Sequence, residues 1–338
     1  MRVGIFLCLI SLGLLSCNKS GGTPPALTPS NLVVNATVNP DKSGNVSFVS
    51  SATNAASYEY DFGNGIYETI PSGSVQHKYT TSGNYTVKVT AKSSSGASIS
   101  KSIDIAVTVA MALVWSDEFD TPGAPNSNKW GYDLGASGWG NNELQYYTDR
   151  RDNSYVTDGT LKIVAKKEAF SSSQYTSARL LSKGKYSFKY GKVEVRAKIP
   201  AGVGTWPAIW MLGDNINTVS WPACGEIDIM EHVGRDLNKI ISAFHYPVYF
   251  GGNAKVATTM VPTATTEFHV YKLEWTPVSM QIFVDDKLFH TLPNSPSIPY
   301  NQNFFMILNI AMGGTLGGAI DPAFKSTTFE IDYVRVYQ

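Results

Sequence analysis

With 338 residues the chain is long enough for two domains, and its 27 basic residues balance its 27 acidic ones. That neutrality removes the electrostatic case for nucleic acid or an anionic lipid surface as a partner. Only 16% of residues are charged while 43% are hydrophobic and 12% aromatic, which supports a large core and suits an uncharged partner.

The chain opens on Met1-Arg2 and an apolar run, "VGIFLCLISLGLL", too short for a stable membrane span. It reads as a secretory signal over residues 1–16. The run closes on "LLSC", Leu14 to Cys17, which resembles a bacterial lipobox. Cleavage before Cys17 leaves that thiol to be lipidated, so the expectation is a membrane partner reached through an N-terminal lipid anchor. The implied location is the bacterial outer membrane, on the cell-surface or periplasmic face. Residues 17–29, rich in Ser, Gly, Thr and Pro, read as a tether. Cys8 leaves with the signal and Cys17 is capped, so Cys224 stands alone and no disulfide is expected. No basic residue lies between Leu212 and Glu231 to activate the Cys224 thiol, which reads as packing.

Residues 30–109 contain no Trp and read as short strands divided by turn residues. "NYTVKVTA" sets Tyr85, Val87 and Val89 on one face, and "SISKSIDIAVTV" makes a second strand after the turn "SSSGAS". The pattern predicts a small β-sandwich. "YEYDFGNG" (Tyr58 to Gly65) and "HKYTTSGNYTVKVT" (His77 to Thr90) resemble the PKD-type domain, an immunoglobulin-like sandwich. Tyr60 stands where members often carry Trp, and Asn64 where they carry a second Asp. His77 reads as a polar strand residue beside a turn.

Residues 110–338 carry all seven Trp residues and read as nearly all β. "KVEVRAKI" alternates cleanly, and "TLKIVAKKE", "VYKLEWT" and "TFEIDYVRVYQ" behave alike. "IFVDDKLF" reads as a hairpin turning at Asp285-Asp286. "FFMILNIAM" is continuously apolar, as a strand buried on both faces should be. The prediction is two large antiparallel sheets packed as a sandwich.

"GEIDIMEHVG" places Glu226, Asp228 and Glu231 within six residues of a strand-like run. Glu226 and Asp228 share a face, but Glu231 is five positions from Glu226 and falls on the other. A β-bulge of one residue, expected at Met230, would return Glu231 to the common face. Paired carboxylates of this kind serve retaining glycosidases as nucleophile and acid/base, and a third acid between them can tune both. Trp206 and Trp210 in "TWPAIWML" share a strand face, and Trp221 in "WPACGE" lies close by. Indole faces stack on pyranose C–H faces. No HExxH motif or Cys/His cluster supports a metal-dependent reaction, so no cofactor is expected for catalysis.

Glu-Ile-Asp-Ile-Met-Glu between "WPACG" and "HVG" closely resembles the bulged active-site signature of glycoside hydrolase family 16. "SGWGNNELQYYT", "GTWPAIWML", "FFMILNIAMGG" and "DYVRVYQ" match its laminarinase-like branch, from about Val114 to the C-terminus. The resemblance implies a concanavalin-like β-jelly-roll with a concave glycan cleft. It implies Glu226 as nucleophile, Asp228 as helper and Glu231 as general acid/base. It also implies Trp206, Trp210 and Trp221 as glycan-stacking residues, and Asn142 and Arg179 as polar contacts. His245, in "SAFHYP", is a further candidate from the neighbouring strand. Many members hold a structural Ca²⁺ on the convex side, and Glu118, Gly159 and Asp332 match that site. The implied activity is endo-acting cleavage of β-1,3-glucan of the laminarin type by a monomer. A mixed-linkage β-1,3-1,4-glucanase is the alternative, and agarose or carrageenan are more distant substrates. The even, unbulged spacing common in lichenases is absent. From another class, a non-catalytic surface glycan-binding lipoprotein is weighed against by the presence of all three acids.

Overall fold

The computed structural model describes residues 27–338, so the signal sequence, Cys17 and most of the tether lie outside the described residues. The chain divides between Ala110 and Met111 into two compact units.

The first unit is a sandwich of two antiparallel sheets. One orders Ser30–Val38, Asn45–Thr53 and Ser74–Lys78; the other orders Tyr67–Ile70, Ser57–Asp61, Gly83–Lys92 and Ser98–Val107. Alternation explains its core: Val87, Val89 and Ala91 point inward onto Phe48, Tyr60 and Phe62. Tyr60 fills the inner site and still satisfies its hydroxyl, 2.7 Å from Ser50 Oγ and 2.8 Å from the Gly73 carbonyl. The His77 ring stacks on Phe62 at 3.8 Å, with Asn64 Nδ2 3.0 Å from its Nε2. It lies in strand Ser74–Lys78, as its sequence context suggests, and also packs on the core.

The second unit packs a ten-stranded sheet against a seven-stranded one. The seven-stranded sheet carries the acids. Its order is Lys255–Met260, Lys239–His245, Glu226–His232, Thr205–Gly213, Phe304–Met312, Arg179–Leu181 and Gly131–Tyr132. Strand Phe304–Met312 is buried at every position. Phe304, Met306, Leu308, Ile310 and Met312 join the core between the sheets. Phe305 and Ile307 lie on the outer face instead, in a small apolar cluster with Leu181, Trp210 and Leu212. The hairpin at Asp285-Asp286 forms as expected, with positive φ at both residues. Among the described residues the one α-helix is Gly314–Gly317, a single turn.

Strand Glu226–His232 is bulged. Asp228 pairs with Ala243 and Glu231 with Ile241, so Ile229 and Met230 together oppose Ser242. On its other side Met230 pairs with Ile209 and Asp228 with Trp210, which leaves Ile229 without an opposite residue. The extra residue toward that neighbour is therefore Ile229 and not Met230. Both side chains are fully buried in the inter-sheet core. Burying two consecutive apolar side chains on one face is what shifts the alternation and brings Glu231 back beside Asp228.

Each unit has its own core cluster, drawn wholly from its own residues. A fragment beginning at Met111 is therefore expected to unfold cooperatively, with a Tm within ~3 °C of the matching transition in the longer chain. A calorimetric scan showing no cooperative transition would refute the independence of the second unit.

Candidate active site

The seven-stranded sheet lines up three rows of side chains on its outer face. Directly opposed residues of antiparallel strands share a face. One row runs Leu212, Glu226, His245; the next runs Ile307, Trp210, Asp228, Ala243; the third runs Arg179, Asn309, Ala208, Glu231, Ile241. All three acids thus face one way. Gly225 precedes them at φ +79°, where an added Cβ would come within 2.9 Å of the Phe304 ring. The strand can start there only without a side chain.

Burial raises the pKa of all three acids. Asp228 adds repulsion at both Glu226 and Glu231. Their environments nevertheless differ. Glu226 keeps 18% of its side chain accessible against 5% for Asp228, and His245 and Arg179 favour its ionised form. Glu231 is buried, and its Oε1 accepts a hydrogen bond from Trp206 Nε1 at 2.8 Å. Glu226 is thus the more accessible end of the cluster and Glu231 the more enclosed one, with an indole N–H already on one of its oxygens.

His245 Nε2 lies 3.1 Å from Asp228 Oδ2 and 3.8 Å from Glu226 Oε1. The line to Asp228 is off the axis of a good hydrogen bond, and Oδ2 has no hydrogen-bond partner. The Gly251 backbone N–H donates to His245 Nδ1 at 3.1 Å, which puts the ring hydrogen on Nε2, facing the acids. Glu226, Asp228 and His245 could offer a cation one ligand atom each, all within 4.8 Å of one another. With its hydrogen on Nε2, however, the ring presents a donor there rather than a lone pair.

The same two strands are tied from behind by Tyr300, which is fully buried. Its hydroxyl lies 3.1 Å from the Glu226 carbonyl oxygen and 3.0 Å from that of His245. Sequence patterns offered no sign of this residue, because its contacts are to backbone 74 and 55 positions away.

Trp206, Trp210 and Trp221 all reach the outer side of this sheet. Trp210 Nε1 donates to Asn309 Oδ1 at 2.7 Å, Asn309 Nδ2 to the Tyr147 hydroxyl at 2.9 Å, and that hydroxyl to Glu143 Oε2 at 3.2 Å. Gln145 Nε2 donates to the same oxygen at 2.7 Å. Burial holds the Glu143 pKa above its ordinary value. Arg179 is sandwiched between indoles, 4.9 Å from the Trp139 ring and 4.7 Å from Trp210, with Nε 3.0 Å from Asp133 Oδ2. Asn142 is exposed at φ +57°; its neighbours Asn141 and Glu143 supply the network instead. Glu143, Tyr147 and Asn309 were missed as site residues although their stretches were matched, since only the fold brings them to Trp210.

The expected calcium ligands stand otherwise engaged. Arg335 grips both carboxylate oxygens of Glu118, and Arg196 Nη1 lies 2.5 Å from Asp332 Oδ2. Gly159 sits at φ +68° in the turn joining Ser154–Thr157 to Thr160–Phe170. A Ca²⁺ at these residues would draw on backbone carbonyl oxygens as well as carboxylates, and Gly159 can offer only the former. Cys224 is buried, and burial, with Glu226 adding to it, pushes its thiol up to about 11. His232 is buried, and its Nε2 accepts the Asn238 N–H at 3.2 Å; burial pushes its pKa down to about 4. A hollow of about 320 Å³ lined by Thr259, His269, Asp285 and Lys287 contains none of these residues.

The family model for glycosyl hydrolases family 16 matches residues 141–335, and a PKD domain model matches residues 27–109. A β-glucanase of Rhodothermus marinus is 47% identical over 242 residues, covering 67% of this chain and 85% of its own. The laminarinase structure from Rhodothermus marinus aligns with a TM-score of 0.65 at 48% identity, over 68% of this chain and 98% of the other. The LamAcat structure from Zobellia galactanivorans aligns at 0.63 and 49% identity, over 67% and 98%. The bulged acid strand and the two packed sheets are thus those of a glycosidase. The chain belongs to glycosyl hydrolases family 16.

Burial raises the Glu231 pKa from 4.5 to about 8, so the folded chain holds a proton that the unfolded chain releases between those values. The stability this proton confers is complete below about pH 4.5 and is lost as the pH climbs toward 8. Glu231→Gln removes the titration, so its Tm should exceed that of the unaltered chain by on the order of 10 °C at pH 8, and the gap should close at pH 4. Equal Tm values at both pH values would show that Glu231 ionises freely in the folded state.

Proposed function

We propose that the protein is an endo-acting, retaining hydrolase of β-1,3-glucan. The carrying observation is the bulge that puts Glu226, Asp228 and Glu231 on one face, within a family 16 chain whose relatives are a β-glucanase and a laminarinase. Glu226, the more accessible acid, attacks the anomeric carbon as carboxylate. Glu231 gives a proton to the leaving oxygen; Trp206 occupies its Oε1 and leaves Oε2 to carry that proton. Once the leaving sugar departs, Glu231 takes a proton from water, which attacks the glycosyl–Glu226 bond and frees the carboxylate. Asp228 lies between them, and its charge disfavours ionisation of Glu231. Trp206, Trp210 and Trp221 present indole surface to pyranose rings, with Arg179 bracing Trp210 from its face.

Glu226→Gln should abolish release of reducing sugar from laminarin, at least about 10³-fold in kcat, while affinity electrophoresis on laminarin still retards it. Hydrolysis by the variant at the unaltered rate would overturn the nucleophile assignment. Activity on lichenan approaching that on laminarin would move the substrate to mixed-linkage glucan.

The reading of Cys17 as a lipid anchor rests on the sequence of residues 1–17. Cys17→Ser in the producing bacterium should move the protein from the membrane to the soluble fraction and abolish incorporation of labelled palmitate. Unchanged membrane retention without label would overturn it.

A further inference from the structure

Beyond His245 the outer surface turns aromatic. Trp221 is 41% exposed and Phe250 43%. Their rings meet edge to face, 5.4 Å apart at 84°. Trp221 in turn lies 5.9 Å from the His245 ring, which contacts Asp228. A surface suited to sugar therefore continues from the carboxylates through His245 and Trp221 to Phe250. Large aromatic side chains are usually buried, and a pair left open to water beside reacting groups points to a ligand.

The segment that presents Phe250 is braced. Asn253 Nδ2 donates to the Val248 carbonyl at 2.8 Å, and Tyr246 and Tyr249 exchange backbone hydrogen bonds of 2.8 and 2.9 Å. Gly251, next to Phe250, is fixed to His245 Nδ1. Little ordering then remains to be done when a ligand arrives, which favours affinity.

We infer that Phe250 is a further substrate-contacting residue, which extends the stacking position at Trp221 into a corner that holds one glucosyl ring of the glucan chain, outside the two rings that flank the scissile bond. The inference rests on the glucanase reading above. Two perpendicular aromatic rings make an apolar corner, in which a pyranose can stack its C–H face on one ring and meet the other with its edge. Phe250 carries no hydrogen-bonding group, so the subsite reads ring shape rather than hydroxyl pattern. It lengthens the stretch of chain the protein grips and favours polymer over short fragments.

The test compares laminarin with the shortest β-1,3-gluco-oligosaccharide that the protein cleaves. Phe250→Ala should lower kcat/KM on laminarin about tenfold more than on the short substrate, which corresponds to one lost stacking contact. Phe250→Trp should restore the preference. In a background of Glu226→Gln, adding Phe250→Ala should weaken laminarin binding by a similar factor, measured without chemistry. Equal losses on both substrates would show that the segment acts only through His245, and unchanged laminarin binding would overturn the subsite. Failure of the unaltered protein to cleave laminarin would sink the glucanase reading, while the binding comparison would still decide the subsite.

Discussion

One extra residue in one strand governs the site. A regular strand would send Glu231 into the core, where an ionisable group with apolar neighbours is costly. Burying Ile229 and Met230 together shifts the alternation by one, so core packing itself pins the acid on the outer face. The arrangement is hard to slip. Sliding the register by one would expose Ile229 or Met230 and bury a carboxylate. Hydrophobic burial, the largest favourable term in folding, is thereby recruited to hold a catalytic geometry.

That geometry carries a stability cost. Three carboxylates on one face, mostly out of water, repel one another when ionised. The fold meets this partly with polar partners, Trp206 at Glu231 and Arg179 toward Glu226, while Asp228 Oδ2 is left without a hydrogen bond. It also meets it by leaving a proton in the cluster. The proton that reduces the electrostatic strain is the one a glycosidic oxygen needs, so stabilisation of the resting protein and general acid catalysis draw on the same burial.

Much of this was legible in the sequence, for definable reasons. The period-two alternation of "KVEVRAKI" and "NYTVKVTA" and the unbroken apolar run "FFMILNIAM" state which faces are buried, and the sheets follow. The parity defect between Glu226 and Glu231 announced the bulge, although not which of two apolar residues is extra. That choice depends on the register of the neighbouring strand, which only pairing reveals. The relay from Glu143 through Tyr147 and Asn309 to Trp210 was illegible because one of its hydrogen bonds joins residues 162 positions apart. The engagement of Glu118 and Asp332 by Arg335 and Arg196 was equally hidden, since arginine partners on neighbouring strands leave no local signal.

The Tyr300 hydroxyl has a wider consequence. It sits against the carbonyls of Glu226 and His245, so their two strands share one anchor, a tyrosine that is itself fully buried. Asn294 Nδ2 and Trp275 Nε1 both donate to the Tyr300 carbonyl and fix that anchor in turn. Gln302 Nε2, two residues on, binds the Cys224 carbonyl at 2.8 Å, so the loop also steadies the approach to the acid strand. Residues 294–302 are therefore a place where a change remote from sugar would be felt as altered chemistry rather than altered recognition. An engineer shortening that loop for robustness would be moving the Glu226 strand without touching it.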